Sequence, residues 1–171
     1  QAWIGLPAAD EETDPSFAHH AADDLPMFTR GDVQYRLIAG NAFGHKSPVR
    51  VFSPVFYLHG EAPSRATIDL PDDHEERAIY VVSGEITVDG EAVEGGRMVV
   101  FAAGSTPDIA TTTDTRFMQL GGAPLDGKRT VWWNFVSSDK ERLEAAKARW
   151  KAGGFGTVPG DAEEFIPLPE N

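Results

Sequence analysis

Hydrophobic and polar residues alternate in short runs through the middle of the chain, and turn-forming residues separate these runs. The segment 33–39 alternates cleanly and ends at Gly40-Asn41, which predicts a strand. Similar runs predict further strands at 55–59, 66–70, 78–82, 86–89, 97–101, 107–110 and 116–120. Many short strands with turn signals between them indicate an all-β barrel or sandwich.

The stretch from His74 to Glu85 and its continuation are the most informative part of this pattern. The β-branched and aromatic run 78–82 is broken by Ser83-Gly84, and the next strand ends in Asp89-Gly90. Asp-Gly is a strong two-residue hairpin signal because both turn positions take a positive φ. This order of strands and glycine turns is typical of a cupin, a double-stranded β-helix or jelly-roll barrel. We predict that all-β fold, followed by a C-terminal α-helix.

The predicted helix begins after residue 137, where the sequence changes character. Ser138 and Glu141 have the spacing of a capping box, in which each side chain satisfies a free backbone N–H at the helix start. Leu143 and Trp150 lie on one apolar stripe of this helix, which we expect to dock on the barrel. Gly153 and the glycine after it end the helix.

We predict three segments along the chain. Residues 1–32 form an inter-domain strand and an extended arm, residues 33–136 form the cupin barrel, and residues 137–171 form the helix and an acidic, proline-rich tail packed on the barrel. A chain of 171 residues with 41% hydrophobic content can bury one good core. Because the sequence begins in a strand-like segment without methionine, we expect it to be part of a longer protein.

Composition narrows the classes of function. The 27 acidic and 15 basic residues give a formal charge of −12, which argues against non-specific binding of nucleic acid or anionic membranes. The absence of cysteine excludes disulfides and thiolate chemistry. No apolar run approaches the roughly 20 residues that span a bilayer, and no signal peptide opens the sequence. These features predict a cytoplasmic protein.

Several segments together resemble the C-terminal half of bacterial pirin-like proteins, which are bicupins. They are Glu-Arg-Ala-Ile-Tyr-Val-Val-Ser-Gly-Glu at 76–85, Leu-Gly-Gly-Ala-Pro-Leu at 120–125, Trp-Trp-Asn-Phe-Val-Ser-Ser at 132–138, and the acidic proline-rich segment 159–169. The third of these is the most specific. The opening segment 1–7 resembles the last strand of the preceding half, and the match covers most of residues 1–7 and 50–171.

The resemblance implies where a metal would lie. In pirins the metal is held in the N-terminal cupin by a His-Pro-His pair and a later His-Ser-Glu segment, a ligand set that suits iron. Those positions correspond here to Leu70-Pro71-Asp72 and to Ile109-Ala110-Thr111, of which only Asp72 could bind a metal. We therefore predict no metal and no cofactor in this chain, with iron in the N-terminal half of the parent.

Five histidines remain to be considered as ligands. His74 and Glu76 would share one face of a strand and could bind a cation together, and the alternative is that both lie in solvent at the barrel mouth. We expect His59 to be buried and hydrogen-bonded at a strand end. His19 and His20 are expected to be solvated in the arm, and His45 lies in a loop with no catalytic role assigned.

No catalytic motif is found either. Gly104-Ser105-Thr106 lacks the pattern of a nucleophile elbow, and Gly121-Gly122 leads to no helix of a dinucleotide site. Trp132 and Asn134 would share one side of a strand, and Trp133 and Phe135 the other. We expect these aromatic residues to be structural rather than a binding face. No catalytic, cofactor-binding or metal residue is assigned.

Two hypotheses for function follow. In the first, this chain is a metal-free supporting half that contributes to an inter-domain cleft and binds a small ligand or a protein. In the second, implied by the resemblance, it is part of a quercetin-type dioxygenase whose metal site lies in the N-terminal cupin. The expected partner is that N-terminal half, or a second copy bound through the exposed strand at Trp3 and Ile4. Resemblance also implies a possible regulatory role for the parent.

Overall fold

The structure is a computed structural model that describes residues 2–161 and 163–169. Within them the strands are β1 (Met27–Arg30), β2 (Val33–Ala42), β3 (His45–Lys46), β4 (Val55–Ala62), β5 (Glu76–Ser83), β6 (Glu85–Val88), β7 (Glu91–Glu94), β8 (Met98–Phe101), β9 (Ile109–Thr111), β10 (Thr115–Gly122), β11 (Thr130–Trp132) and β12 (Phe135–Ser137). The α-helix is α1 (Lys140–Lys151), and short 3-10 turns cover Ala8–Asp10 and Ala22–Asp24. No described helix has the length and apolar character to cross a bilayer.

The chain divides into two compact units. The larger unit is Asp14–Pro124, and the smaller unit combines Gln1–Thr13 with Leu125–Asn171. The three segments predicted along the sequence remain a prediction.

The larger unit contains two sheets. One has seven strands in the order β1-β2-β4-β10-β5-β8, with β3 paired to β2, and the other has three strands in the order β7-β6-β9. All of these pairings are antiparallel. The residues of β2 alternate between buried and less buried positions, as expected for a strand with one face on a core.

Both sheets contribute to one hydrophobic core. Tyr35, Leu58 and Phe117 come from the seven-stranded sheet, while Ile86 and Ile109 come from the three-stranded sheet. Gly60 lies opposite Phe117, and a Cβ at Gly60 would come within 2.3 Å of that ring, so the glycine is required by close packing. The predicted cupin fold is confirmed, and the part of the chain that the structure describes contains one α-helix, located after the sheets.

The predicted hairpin at Asp89-Gly90 is also confirmed. Asp89 has φ 51° and Gly90 has φ 86°, which are the positive values that a two-residue turn between β6 and β7 requires.

Three local predictions are wrong. Residues 2–7 form no strand, and the segment 66–70 contributes only an isolated bridge between Thr67 and Ala110. The helix is capped by Asp139, whose Oδ1 accepts a hydrogen bond from the backbone N–H of Glu141 at 2.8 Å, so the predicted capping box with Ser138 does not form. The side chain of Ser138 is used elsewhere, because its Oγ donates to Glu11 Oε2.

The smaller unit contains the β11–β12 hairpin and α1. Trp133 and Asn134 form the turn of this hairpin, and Trp133 has φ 51°. The predicted alternation of these residues on a continuous strand is therefore wrong, because the chain reverses between Trp132 and Phe135, which are paired across the hairpin.

Candidate functional sites

The larger unit contains a cavity of about 480 Å³, which we call the Arg77 cavity. Its lining comes from the β1 end, the loop after β2, the segment before β5, β5 itself and the segment leading into β9. The lining residues are Arg30, Phe43, Gly44, Thr67, Ile68, Asp69, Leu70, Asp72, Asp73, Arg77, Thr106, Pro107, Asp108 and Ile109.

Arg77 is the buried cation of this cavity. It shares the inward face of β5 with Ile79 and Val81, and only 5% of its surface is exposed. Its Nη2 donates to the carbonyl of Ser105 at 2.6 Å, and its Nη1 makes a long contact of 3.5 Å with the carbonyl of Pro71. The buried Nε–H has no hydrogen-bond partner within residues 2–161 and 163–169.

The carboxylates of the cavity lie on exposed residues. Arg30 Nε pairs with Asp69 at 2.6 Å. Asp73 accepts a hydrogen bond of 3.4 Å from Asn41 Nδ2. Asp72 and Asp108 are also exposed lining residues. The cavity therefore has a basic, buried side chain and an acidic rim.

The positions that correspond to family metal ligands are used for packing or internal hydrogen bonds. Ile109 is a core residue, and Leu70 packs against the same core. The hydroxyl of Thr111 donates to the carbonyl of Pro63 at 2.5 Å and accepts from the N–H of Ala66 at 2.8 Å. Of this set, Asp72 alone offers an exposed carboxylate, so these residues do not fit a pirin-type metal.

His74 is placed differently from either expectation. It precedes β5, its side chain is only 2% exposed, and its Nε2 lies 2.8 Å from the carbonyl oxygen of Asn41. Its ring packs on Phe56 with the centroids 4.8 Å apart. The expected position in solvent beside Glu76 is wrong, because His74 is part of the packing while Glu76 is exposed.

The other histidines do not converge on a site. His59 lies within β4 with a third of its side chain exposed, 3.8 Å from Glu61, so the expectation of a buried histidine at a strand end is wrong. His45 stacks on Phe28 with centroids 4.0 Å apart. His19 is exposed and His20 is half-buried. Across residues 2–161 and 163–169, no group of three or more histidine, aspartate or glutamate side chains is arranged to hold a metal.

The smaller unit has a cavity of its own, about 490 Å³, which we call the Trp3 cavity. Trp3, Ile4 and Val136 line it and are 55%, 52% and 39% exposed. Large apolar side chains that remain this exposed around one depression are typical of an interaction surface.

A charged network lies beside the Trp3 cavity. The Arg129 Nε is 2.7 Å from Glu11 Oε1 as an ion pair without hydrogen-bond geometry, and both side chains are largely buried. Glu11 also accepts hydrogen bonds from the backbone N–H and the hydroxyl of Ser138. Burial raises the pKa of Glu11, but the Ser138 hydrogen bonds and the Arg129 charge outweigh it, so this pKa lies below 4.5. Asp126 accepts a hydrogen bond from Arg129 Nη2, which lowers the pKa of that carboxyl.

The aromatic residues of the smaller unit form one cluster. Trp150 of α1 packs edge-on against Trp133 at 5.0 Å and contacts Phe135 and Phe155. Trp150 Nε1 donates to the carbonyl of Ile166 at 2.9 Å. These contacts place Trp150 in the packing of the smaller unit. Its expected docking on the barrel stays a prediction.

Sequence reasoning did not identify Arg77 or the Glu11–Arg129 pair. Arg77 could have been found from strand periodicity, since it has the same parity as Ile79 and Val81 on a strand whose inward face is apolar. The partners Glu11 and Arg129 are 118 residues apart, and no local pattern connects them.

The sequence of this chain is similar to those of several known proteins. The profile of the Pirin C-terminal cupin domain matches residues 57–156. A pirin-like protein of Caulobacter vibrioides is 48% identical over 171 residues, which cover 99% of this chain and 59% of the relative. Pirin-1 of Arabidopsis thaliana is 25% identical over 154 residues, covering 85% of this chain and 54% of the relative.

A solved structure is similar over nearly the whole chain. The crystal structure of a quercetin 2,3-dioxygenase from Acinetobacter baumannii superimposes with a TM-score of 0.87 at 26% identity, covering 99% of this chain and 57% of that one. The chain thus spans between half and two thirds of the length of these relatives.

Proposed function

This chain belongs to the pirin family as a C-terminal cupin domain, and we propose that it is the metal-free supporting half of a two-cupin protein. In this proposal the preceding half holds the iron and this half completes the structure around it. We also propose that the two sheets of the larger unit enclose a jelly-roll barrel. The single hydrophobic core to which both sheets contribute supports this proposal.

The surface around the Trp3 cavity is the observation that carries the proposal. Three exposed apolar residues, Trp3, Ile4 and Val136, surround a cavity of about 490 Å³. The relatives extend well beyond the length of this chain. We infer that the preceding half covers these side chains, because burying apolar surface stabilises association by roughly 25 cal/mol per Å² removed from water.

The metal-free part of the proposal rests on the residues that are present. Aliphatic side chains offer no lone pair, and Ile109 and Leu70 are packed in or against the core. The buried ring of His74 already lies in hydrogen-bond distance of the Asn41 carbonyl and packs on Phe56. We therefore propose that no metal-dependent step takes place on these residues.

Mixing the two halves tests the supporting role. This chain and the separately produced preceding half should associate in a one-to-one complex measured by light scattering. Val136→Asp should weaken that association at least tenfold, because it places a charge in an apolar contact. Val100→Asp, at an exposed position of the larger unit, is the matched control and should have no effect. Equal effects of the two variants would contradict the proposal.

Self-association is a separate outcome of the same measurement. If a second copy covers the Trp3 cavity instead, this chain alone should form dimers or larger species, and the species should increase with salt, because salt screens the charge of −12. A monomer at high concentration would exclude this outcome.

Elemental analysis tests the metal-free part. Protein purified without a histidine tag should hold no stoichiometric iron, nickel or zinc, while the two-half protein should hold one metal per chain. A stoichiometric metal in this chain that is lost in His74→Ala would overturn the prediction.

The dioxygenase hypothesis is favoured by the similarity to the A. baumannii quercetin 2,3-dioxygenase. It proposes that the two-half protein consumes quercetin and oxygen and that this chain alone does not. Oxygen uptake by the two-half protein, with and without quercetin, is the measurement. Oxygen uptake that does not depend on quercetin would contradict the dioxygenase hypothesis. It would not affect the proposed supporting role.

A further inference from the structure

Arg77 is a buried cation whose charge is not paired by any residue that the structure describes. Among the described residues, no carboxylate lies within ion-pair distance of its guanidinium. Its acceptors are two backbone carbonyls, one of them at 3.5 Å, and its Nε–H has none. Buried charges in proteins are normally paired, because the loss of hydration is otherwise uncompensated.

The cavity lined by Arg77 is large enough to hold such an anion. Arg77 lines a cavity of about 480 Å³, which is within the usual range for small-molecule sites. Ile68, Leu70 and Ile109 supply apolar lining. The planar fork of an arginine matches a carboxylate group in two parallel hydrogen bonds.

The rim of the cavity limits which carboxylates can enter. Asp69 is paired with Arg30, whereas Asp72 and Asp108 are exposed carboxylates with no ion pair among the residues that the structure describes. An ionised carboxylate only accepts hydrogen bonds and repels a bare anion. A ligand that fits both parts must therefore present an anionic group to Arg77 and hydrogen-bond donors to the rim.

We propose that the Arg77 cavity binds a small hydroxycarboxylic acid, with the carboxylate on Arg77 and the hydroxyl groups on Asp72 and Asp108. This ligand site is independent of the supporting role and of any metal. Binding would pair the buried guanidinium of Arg77 with the carboxylate of the ligand.

Three six-carbon probes separate the parts of this proposal. Gluconate has a carboxylate and hydroxyl groups, hexanoate has the carboxylate alone, and sorbitol has the hydroxyl groups alone. Titration by calorimetry should show binding of gluconate at least tenfold tighter than of either other probe. Sorbitol binding as tightly as gluconate would overturn the role of Arg77, and equal binding of hexanoate would overturn the role of the rim.

The Nε–H resonance of Arg77 in nitrogen-15 NMR spectra reports the contact directly in the wild-type chain. Gluconate should shift this resonance in a saturable manner, whereas an unshifted resonance at saturation would overturn the proposal. This measurement does not depend on a variant that folds.

Variants give a second, independent readout. Arg77→Lys keeps the charge but loses the planar fork, and should weaken gluconate binding at least tenfold. Asp72→Asn should reduce the preference for gluconate over hexanoate. Arg116→Gln, an exposed arginine paired with Glu61 at 3.5 Å, is the matched control and should leave gluconate binding unchanged. Equal losses in Arg77→Lys and Arg116→Gln would contradict a specific site.

Discussion

The two compact units are stabilised in different ways. The larger unit buries Tyr35, Phe56, Phe117 and other apolar side chains in one shared core. In the described part of the smaller unit, Leu143 is the one buried hydrophobic residue. The aromatic side chains of this unit are half-buried or exposed. The smaller unit relies instead on the Glu11–Arg129 network and on the edge-on contacts of Trp150.

This difference means that the same kind of substitution should have different costs in the two units. Aromatic residues also provide a way to observe each unit separately. All four tryptophans, Trp3, Trp132, Trp133 and Trp150, belong to the smaller unit, while the three tyrosines belong to the larger unit. Tryptophan-selective fluorescence therefore follows the smaller unit, and hydrogen exchange of β4 and β10 follows the larger one.

Phe117→Ala should cause the largest loss of stability. Phe117 is fully buried, packs edge-on against Tyr35 and fills the space over Gly60. Truncation of a buried phenylalanine costs about 3–5 kcal/mol. Thermal unfolding followed by hydrogen exchange of β4 should show this loss, and Met118→Ala on the other face of β10 should cost less than half as much. Equal costs would mean that the core is not concentrated on the Phe117 face.

Trp150→Ala should have the next largest effect, at about 3 kcal/mol, because Trp150 is only half-buried. Denaturant unfolding followed by tryptophan fluorescence is the measurement. Lys140→Ala, at the exposed start of α1, is the control and should change stability by less than about 0.5 kcal/mol. Lys147 is not a suitable control, since its Nζ lies 4.2 Å from the Trp132 ring centroid.

Glu11→Gln should destabilise the smaller unit by about 2 kcal/mol, because it removes the charge from hydrogen bonds and from the ion pair with Arg129. The neighbouring Glu12 pairs with Arg142 at the surface, so Glu12→Gln is a matched control with an effect below about 1 kcal/mol. Tryptophan fluorescence during urea unfolding compares the two. A larger loss of stability in Glu12→Gln than in Glu11→Gln would show that burial does not determine how much these ion pairs contribute to stability.

Acid should destabilise the smaller unit through the same carboxylate. The folded-state pKa of Glu11 lies below 4.5, so its contribution is fully present above that ordinary value and is lost as pH falls through the folded-state pKa. Tryptophan-detected stability should decrease below about pH 4.5. Glu11→Gln should decrease less steeply over the same range, and parallel curves would assign the acid sensitivity to other groups such as Asp126.

Glu144→Gln should have the smallest effect. Lys147 Nζ contacts Glu144 Oε1 at 2.6 Å, but the Glu144 side chain is mostly exposed. Pairs spaced three residues apart on a helix surface contribute about 0.2–0.5 kcal/mol. The melting temperature should fall by at most about 2–4 °C at low salt, and the difference should shrink at high salt. A loss comparable to that of Glu11→Gln would remove the distinction between buried and surface pairs.

The fold could be read from the sequence where local rules apply. Strand alternation identified β2, and the Asp89-Gly90 turn was predicted with its conformation. One error occurs where a long-range contact determines which side chain caps the helix. Ser138 fits a capping-box pattern, but its hydroxyl donates a hydrogen bond to Glu11, which is 127 residues away in sequence. Asp139 caps the helix instead.

The same limit applies to the candidate sites. The family ligand positions could be located by resemblance, and their unsuitable residues were visible in the sequence. The burial of His74 depends on Asn41 and Phe56, which are distant in sequence, so no local pattern indicated it. The environment of Arg77 likewise depends on the loop before β9.

The hydrogen bonds between Glu11 and Ser138 have a consequence for synthesis of the protein. Glu11 leaves the ribosome 127 residues before the partner that will bind it. At roughly 5–20 residues per second, this interval is about 6–25 seconds. During that time the nascent segment 14–124 can form its own core, while Glu11 still lacks the N–H and hydroxyl of Ser138 as hydrogen-bond donors. The charged network of the smaller unit can therefore be completed only after Ser138 has been translated, when the core of the larger unit has had time to form.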